Sequence, residues 1–282
     1  MPSTSMRDLL RVPAGPVNLA GYDTDGRPGA PVKKKSGKPK PLVSDHEALR
    51  LQQEKLFAES TDGGNRSVLL LLQGMDTAGK GGVTEHVVGV CGPIGVEYTA
   101  FKRPTPEELR HTFLWRINRR VPPPGHIGVF DRSQYEDVLV VRVHDLVPEA
   151  EWQTRYDKIN KWEAGLVAKG VTIIKCFLHI SYDTQRERLL ARLDDPRKNW
   201  KFKEADIDER ARWSEYTEAY EAALTRCNTE AAPWYIVPSD DKAYRNWAIG
   251  ELLRETLDEM DPGWPRIDLD LKALKKRLKP PN

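Results

Sequence analysis

A nine-residue stretch at positions 74–82 limits what this chain can fold into more than any other feature. It reads Gly-Met-Asp-Thr-Ala-Gly-Lys-Gly-Gly, directly after an apolar run at 68–72 and directly before a segment that can form a helix. The order predicts a strand, a glycine-rich turn that carries Lys80, and the start of a helix. Such a turn binds anions, because backbone N–H groups converge on phosphate oxygens and the helix presents the positive end of its dipole.

The spacing of Gly74, Gly79 and Lys80 is that of a phosphate-binding loop, with one departure. Gly81 stands where such loops usually have the serine or threonine that holds magnesium. Asp76 is the candidate replacement, since a carboxylate is a hard oxygen ligand. We expect Gly79, Gly81 and Gly82 to contact phosphate. The other interpretation is an ordinary tight turn, which the flanking pattern disfavours.

Apolar strands alternate with helical segments through most of the chain. Strands are predicted at 68–73, 96–101, 127–131, 172–179 and 234–238. Ser44 to Glu47 resemble a capping box that opens a helix ending near Ser60. Strands alternating with helices predict an α/β protein with a parallel sheet covered on both faces.

Two helical segments carry aromatic residues at steps of three and four. One stripe is Trp152, Tyr156, Ile159, Trp162 and Leu166, and the other is Trp213, Tyr216, Tyr220, Ala223 and Cys227. The alternative, a platform for stacking bases, is less common than packing in a core. We therefore predict that both stripes are buried.

Composition and charge limit the cellular compartment and the binding partners that we expect for this protein. The 282 residues carry a net charge of +2 and no apolar run of membrane-spanning length, so we expect no membrane partner. Three distant cysteines suggest neither a disulfide framework nor a zinc site. The cysteines fit a reducing compartment best, so we expect a cytoplasmic protein. We divide the chain into an arm at 1–43 with a lysine cluster at 33–40, a main domain at 44–265 and a tail at 266–282.

A second group of candidate residues follows the predicted strands. The strand at 127–131 ends in Asp131, which Arg132 follows directly, and Lys102 and Arg103 come after the second strand. Carboxyl ends of parallel strands lie side by side, so Asp131 and Asp76 are placed to share magnesium. Arg132 is placed to bind the transferring phosphoryl group. Tyr135, Glu136 and Asp137 are expected on the same rim, as nucleotide contacts.

The stretch 186–203 interleaves basic residues with Trp200 and Phe202 and is broken at Pro196. This pattern is typical of a lid that closes over phosphates and excludes water, and we place the lid at about 182–215. The alternative is a solvated helical hairpin. If the segment is a lid, its candidate phosphate ligands are Arg192, Lys198 and Lys201.

Three motifs together resemble the polyphosphate kinase 2 family. They are the loop with Gly74, Asp76, Gly79, Lys80 and Gly82, the strand end with Asp131, Arg132, Ser133 and Tyr135, and the basic segment with Trp200, Lys201 and Phe202. The similarity runs from about 44 to 265.

The resemblance implies a three-layer α/β/α P-loop kinase fold, similar to thymidylate kinase, with a helical lid. It implies phosphoryl transfer between inorganic polyphosphate and ADP, AMP or other nucleotides, with Mg²⁺, or Mn²⁺, as cofactor. It also implies that Asp76 and Asp131 bind the metal, that Lys80 and Arg132 hold the transferring phosphate, and that Arg103 and the lid line the polyphosphate path. Relatives of this kind are homo-oligomers, and we expect a dimer or tetramer.

Several choices stay open. Residues 132–138 resemble members that accept nucleoside monophosphates as well as diphosphates, whereas Asp131 resembles members that act mainly on diphosphates. An ATP-dependent nucleotide or small-molecule kinase would share the fold and loop, although Gly81 argues against it. A nucleic-acid-binding protein is disfavoured by the near-neutral charge and by the acidic pair, so we expect no nucleic-acid partner.

Overall fold

The computed structural model describes residues 5–31, 42, 44–266 and 268–279. The predicted lysine cluster at 33–40 lies outside them. The sheet strands are β1 (Ser67–Gln73), β2 (Val96–Ala100), β3 (Ile127–Asp131), β4 (Val171–His179) and β5 (Trp234–Pro238). Each lies within one residue of its predicted position, so all five strand predictions are confirmed.

The strands form one parallel sheet in the order β2-β3-β1-β4-β5. All seven residues of β1 are buried, as expected for a central strand covered on both faces. Leu72 at the end of β1 is in register with Asp131 of β3 and with Cys176 of β4. The carboxyl ends of the three central strands therefore form one edge, from which the candidate loops emerge.

The described residues also contain eleven α-helices. They are α1 (Met6–Leu10), α2 (His46–Ser60), α3 (Lys80–His86), α4 (Phe113–Asn118), α5 (Val140–Val143), α6 (Glu149–Val167), α7 (Tyr182–Asp194), α8 (Ala205–Ala211), α9 (Trp213–Arg226), α10 (Lys242–Met260) and α11 (Leu271–Arg277). Helix α10 packs against α1, α2 and α3, while α5 packs against α6 and α9. The α/β prediction is confirmed. None of these helices is long and apolar enough to cross a membrane.

Helix α2 ends at the predicted place, but its cap differs. Asp45, not Ser44, is the N-cap, and its side chain accepts a hydrogen bond from the backbone N–H of Ala48. Both residues are good caps, and the chain enters the helix one residue later than the capping-box pattern indicates.

The aromatic stripes are part of the core, as predicted. Trp152, Tyr156, Tyr220 and Cys227 are buried, whereas Trp162, Trp213 and Tyr216 are half-buried and pack against the core. The segment before residue 32 also contributes to this core, which its composition did not indicate. Met6, Leu10, Val12, Val17 and Leu19 are buried, and the backbone N–H of Val12 donates to the carbonyl of Trp234 in β5.

Candidate active site

The loop between β1 and α3 turns tightly because glycine occupies two of its strained positions. Gly74 has φ +154°, and a Cβ there would lie 2.7 Å from the carbonyl oxygen of Leu178. Gly79 has φ +110°, and a Cβ there would overlap the guanidinium of Arg245. Thr77 also has a positive φ, of 64°. The loop thus wraps closely between β4 and α10, and the predicted helix α3 begins at Lys80, within the stretch 74–82 and not after it.

Lys80 curls back over the loop. Its side chain is buried, and Nζ donates to the carbonyl oxygen of Gly74 at 3.0 Å. Burial lowers the pKa of Lys80, while the negative charge of Asp131 opposes that shift. The ammonium group lies at the floor of an open cleft, where a bound phosphate would complete its coordination.

Asp76 projects from the same loop toward the start of the predicted lid. Its Oδ2 lies 3.1 Å from Nη1 of Arg192 in α7, and the same nitrogen lies 3.6 Å from Oδ2 of Asp206. Burial acts to raise the pKa of Asp76, but the charges of Lys80 and Arg192 outweigh it, and the pKa is lowered. The carboxylate is therefore ionised and a third exposed.

Asp131 ends β3 and faces the same cleft. Its Oδ2 accepts a hydrogen bond of 3.2 Å from the hydroxyl of Tyr98 in β2. Burial and the adjacent carboxylate raise the pKa of Tyr98 to about 12, so its hydroxyl remains a donor. Asp76 and Asp131 thus line the same cleft.

Arg132 follows Asp131 in a backbone conformation that is rare for residues with side chains. Its φ is +65°, and its N–H donates to the carbonyl oxygen of Leu72 at 3.1 Å. This conformation is costly and persists only where its surroundings fix it. Burial lowers the pKa of Arg132, but the surrounding negative charges, of which Glu136 has the largest effect, together outweigh burial, and the pKa is raised.

These residues line one cleft of about 670 Å³. Nine of its lining side chains are basic (Lys80, Lys102, Arg132, Arg188, Arg192, Lys198, Lys201, Lys242 and Arg245), and three are acidic (Asp76, Glu85 and Asp131). The cleft therefore carries a strong positive charge although the whole chain is close to neutral. Gly79, Gly81 and Gly82 line it too, so most of the predicted site residues lie together.

Four predicted residues are not among those that line the cleft. Arg103 is exposed outside it. The side chain of Tyr135 is fully buried, because the short 3-10 helix Gln134–Val138 turns it inward onto Glu163 and Lys175. Asp137 pairs with Arg155 at 2.8 Å, away from the cleft. Glu136 is half-buried, close enough to affect the pKa of Arg132.

Two arginines beneath the loop were not identified from the sequence. Arg188 of α7 donates to the carbonyl oxygens of Thr77, Ala78, Ser239 and Asp240. Arg245 of α10 is 2 % exposed and donates to Ala78 at 3.1 Å. Burial and repulsion by Arg188 lower the pKa of Arg245 to about 10. Their partners in the loop are backbone atoms far away in the chain, so no sequence motif marks these contacts.

The acidic pair provides the donor set that a hard divalent cation takes. The described residues contain no group of three or more His, Cys, Asp or Glu side chains placed to hold a metal ion. Mg²⁺ is commonly held by one or two carboxylates, with waters and substrate phosphates completing its shell. Asp76 and Asp131, on the wall of a basic cleft, fit that kind of site.

Comparison with known proteins identifies the family. The model of the family described as Polyphosphate kinase 2 matches residues 36–264. The chain belongs to the polyphosphate kinase 2 family. A crystal structure of Polyphosphate Kinase 2 from Arthrobacter aurescens TC1 superposes with a TM-score of 0.92 at 47 % identity, covering 98 % of this chain and 97 % of that one. The P-loop kinase fold expected from the sequence is thereby confirmed.

Curated members of the polyphosphate kinase 2 family are also similar in sequence. An AMP/ADP-polyphosphate phosphotransferase of Meiothermus ruber is 46 % identical over 218 residues, which are 77 % of this chain and 80 % of that protein. An ADP-polyphosphate phosphotransferase of Rhodopseudomonas palustris is 44 % identical over 235 residues, 78 % of this chain and 81 % of that protein. The family expectation drawn from the three motifs is confirmed.

Proposed function

We propose that this enzyme transfers phosphoryl groups between inorganic polyphosphate and nucleoside di- or monophosphates such as ADP, AMP or GDP. The proposal rests on one observation: the phosphate-binding loop and nine basic side chains line the same cleft. A linear polyanion without side groups is recognised by charge, not by a shaped pocket. The activities in the names of the Meiothermus and Rhodopseudomonas relatives support the same reaction.

In this mechanism Lys80 and Arg132 hold the transferring phosphoryl group from two sides. The neighbouring phosphates are bound by Lys102, Arg192, Lys198 and Lys201. Arg103 contacts the part of the polyphosphate that extends outside the cleft. Transfer is in line from one phosphate oxygen to another, without a covalent enzyme intermediate. Catalysis then comes from positioning and charge neutralisation.

Asp76 and Asp131 would hold Mg²⁺, with Mn²⁺ as a substitute. The bound ion supplies charge neutralisation at the phosphates and helps to orient them. Asp76 exchanges its ion pair with Arg192 for this role, which frees the guanidinium of Arg192 to bind a phosphate oxygen. A segment at 182–215 that carries Arg192, Lys198 and Lys201 then acts as the lid.

The acceptor nucleotide binds beside Arg132 in this proposal. Of the acidic residues around Arg132, Glu136 has the largest effect on the pKa of Arg132. Asp137 contributes through its pair with Arg155 rather than directly, since Arg155 occupies its carboxylate. Whether AMP is accepted beside ADP depends on this region.

The test is formation of ATP by the purified protein from polyphosphate and Mg²⁺, with ADP and AMP supplied separately. We expect ATP from ADP, and ADP formed from AMP would identify a monophosphate acceptor. Lys80→Ala and Asp76→Ala should each reduce turnover by at least about 100-fold. Lys169→Ala, an exposed lysine at the opposite end of the sheet, is the control. Transfer only with ATP as donor would favour the second candidate, an ATP-dependent kinase.

We also propose that the enzyme is cytoplasmic and forms a homo-oligomer, a dimer or tetramer. Its three cysteines are free and buried, which is compatible with a reducing compartment. Light scattering of the purified protein tests the oligomer, and a mass of one chain would contradict it.

A further inference from the structure

A fully buried polar cluster lies directly behind the strand end that carries Arg132. The hydroxyl of Tyr135 donates to Oε1 of Glu163 at 2.8 Å, and Nζ of Lys175 lies 2.7 Å from Oε2 of Glu163. Lys175 also donates to the hydroxyl of Tyr135 at 2.9 Å and to the carbonyl oxygen of Cys227 at 2.6 Å. Gln134 donates to Glu163 at 2.9 Å.

Two charged side chains that are fully buried, as in this cluster, are unusual in a protein core. The side chains of Lys175 and Glu163 are 0 % and 1 % exposed. Burying two charges costs several kcal/mol each in lost hydration, by order of magnitude, and a well-packed apolar pair is often at least as stable. A contribution to stability is therefore a weak explanation, whereas a fixed position for the groups it binds is a use that such pairs can serve.

What the cluster binds is the segment that follows Asp131. Glu163 in α6 and Lys175 in β4 both hold Tyr135, three residues after Arg132. A further buried bond, 2.9 Å from Gln73 Nε2 to Ser133 Oγ, ties the same segment to β1. Besides the backbone bond from Arg132 to Leu72, side chains thus attach the segment to strands β1 and β4 and to helix α6.

Attachment of this segment matters for Arg132 because it holds the backbone of Arg132 in place. The φ of +65° at Arg132 is strained, and relaxing the backbone there would change the direction in which the side chain leaves it. We propose that Tyr135, Glu163 and Lys175 are positioning residues for catalysis, which hold Arg132 in its strained conformation from behind the sheet. This inference rests on the proposed function only for its kinetic test.

The first test is a matched pair of tyrosine variants. Tyr135→Phe removes a hydroxyl that bonds to both Glu163 and Lys175, whereas Tyr156→Phe removes an equally buried hydroxyl that has no hydrogen-bond partner in the described part of the chain. We expect Tyr135→Phe to lower kcat roughly tenfold, with KM for polyphosphate changed less than about twofold. Tyr156→Phe should leave kcat unchanged. Equal kcat values in the two variants would overturn the inference.

A second measurement does not depend on activity. The N–H of Arg132 is bonded to Leu72, so its hydrogen exchange reports whether the strained conformation is held. We expect about tenfold faster exchange at residues 132–138 in Tyr135→Phe than in Tyr156→Phe. Unchanged exchange there would contradict the positioning role even if the enzyme had another substrate. Absent transfer with altered exchange would contradict only the proposed function.

The double variant Glu163→Leu/Lys175→Met separates positioning from stability. Single replacements leave one charge buried without its partner and are expected to destabilise the fold strongly. Removing both charges should restore folding but not kcat, because the hydroxyl of Tyr135 has then lost both partners. Recovery of kcat together with stability would show that the cluster acts only on folding.

Discussion

At the residue scale, adjacent glycines of the phosphate-binding loop have different tasks. A Cβ at Gly82 would lie 2.8 Å from Nη2 of the buried Arg245, whereas a Cβ at Gly81 meets no atom within 4 Å. Gly82 therefore makes room for a guanidinium that supports the loop from below. Gly81, which replaces the usual serine or threonine, leaves its space open to the cleft.

This difference predicts opposite effects of the same substitution. Gly82→Ala should lower the free energy of unfolding by about 1–3 kcal/mol, because Arg245 is forced out of its packed position. Gly81→Ala should raise it by about 0.5–1 kcal/mol, since alanine restricts the unfolded chain and favours the helix. Urea unfolding of both variants checks the prediction, and equal stabilities would contradict the role of Arg245.

The cysteines give a prediction about reactivity. Burial raises the pKa of Cys91 to about 11 and that of Cys227 to about 12, and Cys176 is shifted in the same direction. Because the thiolate is the reactive form and is populated only as pH rises toward these values, the native protein should react very slowly with thiol reagents at pH 8. The rate of cysteine modification by a thiol reagent, measured in native buffer and in urea, tests this prediction. Rapid modification of one thiol in native buffer would show that its site is open.

At the element scale, α7 is attached to the loop by the side chains of Gln185, Arg188 and Arg192, and Arg188 makes the most of these bonds. Arg188 donates to two carbonyls of the loop and to two that follow β5, so it links three elements at the floor of the cleft. In the lid proposed for 182–215, this link would restrict a closing movement to the part of the chain beyond Arg188, where Arg192 and Lys198 lie.

Replacing Arg188 should thus disturb the loop more than the loss of one positive charge would by itself. Arg188→Met leaves four carbonyls without this donor, and we expect a loss of about 1–3 kcal/mol in stability together with faster hydrogen exchange at 76–79. Arg186→Met, at an exposed position of the same helix, is the matched control and should change neither. Identical exchange in the two variants would rule out the linking role.

The elements were more predictable than their side-chain contacts. Strand positions followed from apolar runs, and the loop followed from glycine spacing, because both are local patterns. The inward side chain of Tyr135 was missed, since its partners Glu163 and Lys175 come from other elements. The packing of Leu10 and Val12 was missed for a similar reason: the arm has no apolar periodicity, and the buried residues meet β5 at the other end of the chain.

At the scale of the whole molecule, charge is distributed unevenly. The net charge is only +2, yet the cleft collects nine basic side chains against three acidic ones. The remaining surface must balance this excess, so attraction of a polyanion is concentrated at one edge of the sheet. Binding should therefore depend on the local cluster and on ionic strength, and very little on the charge of the chain as a whole.

Salt dependence measures this local cluster directly. The logarithm of kcat/KM for polyphosphate should fall linearly with the logarithm of salt concentration, as for other polyanions whose counterions are released on binding. Lys201→Ala should reduce the slope by about one, because one phosphate contact is lost. Lys169→Ala, which removes the same charge from the opposite end of the sheet, should leave the slope unchanged. If both variants shift the slope equally, net charge and not the cleft attracts the substrate.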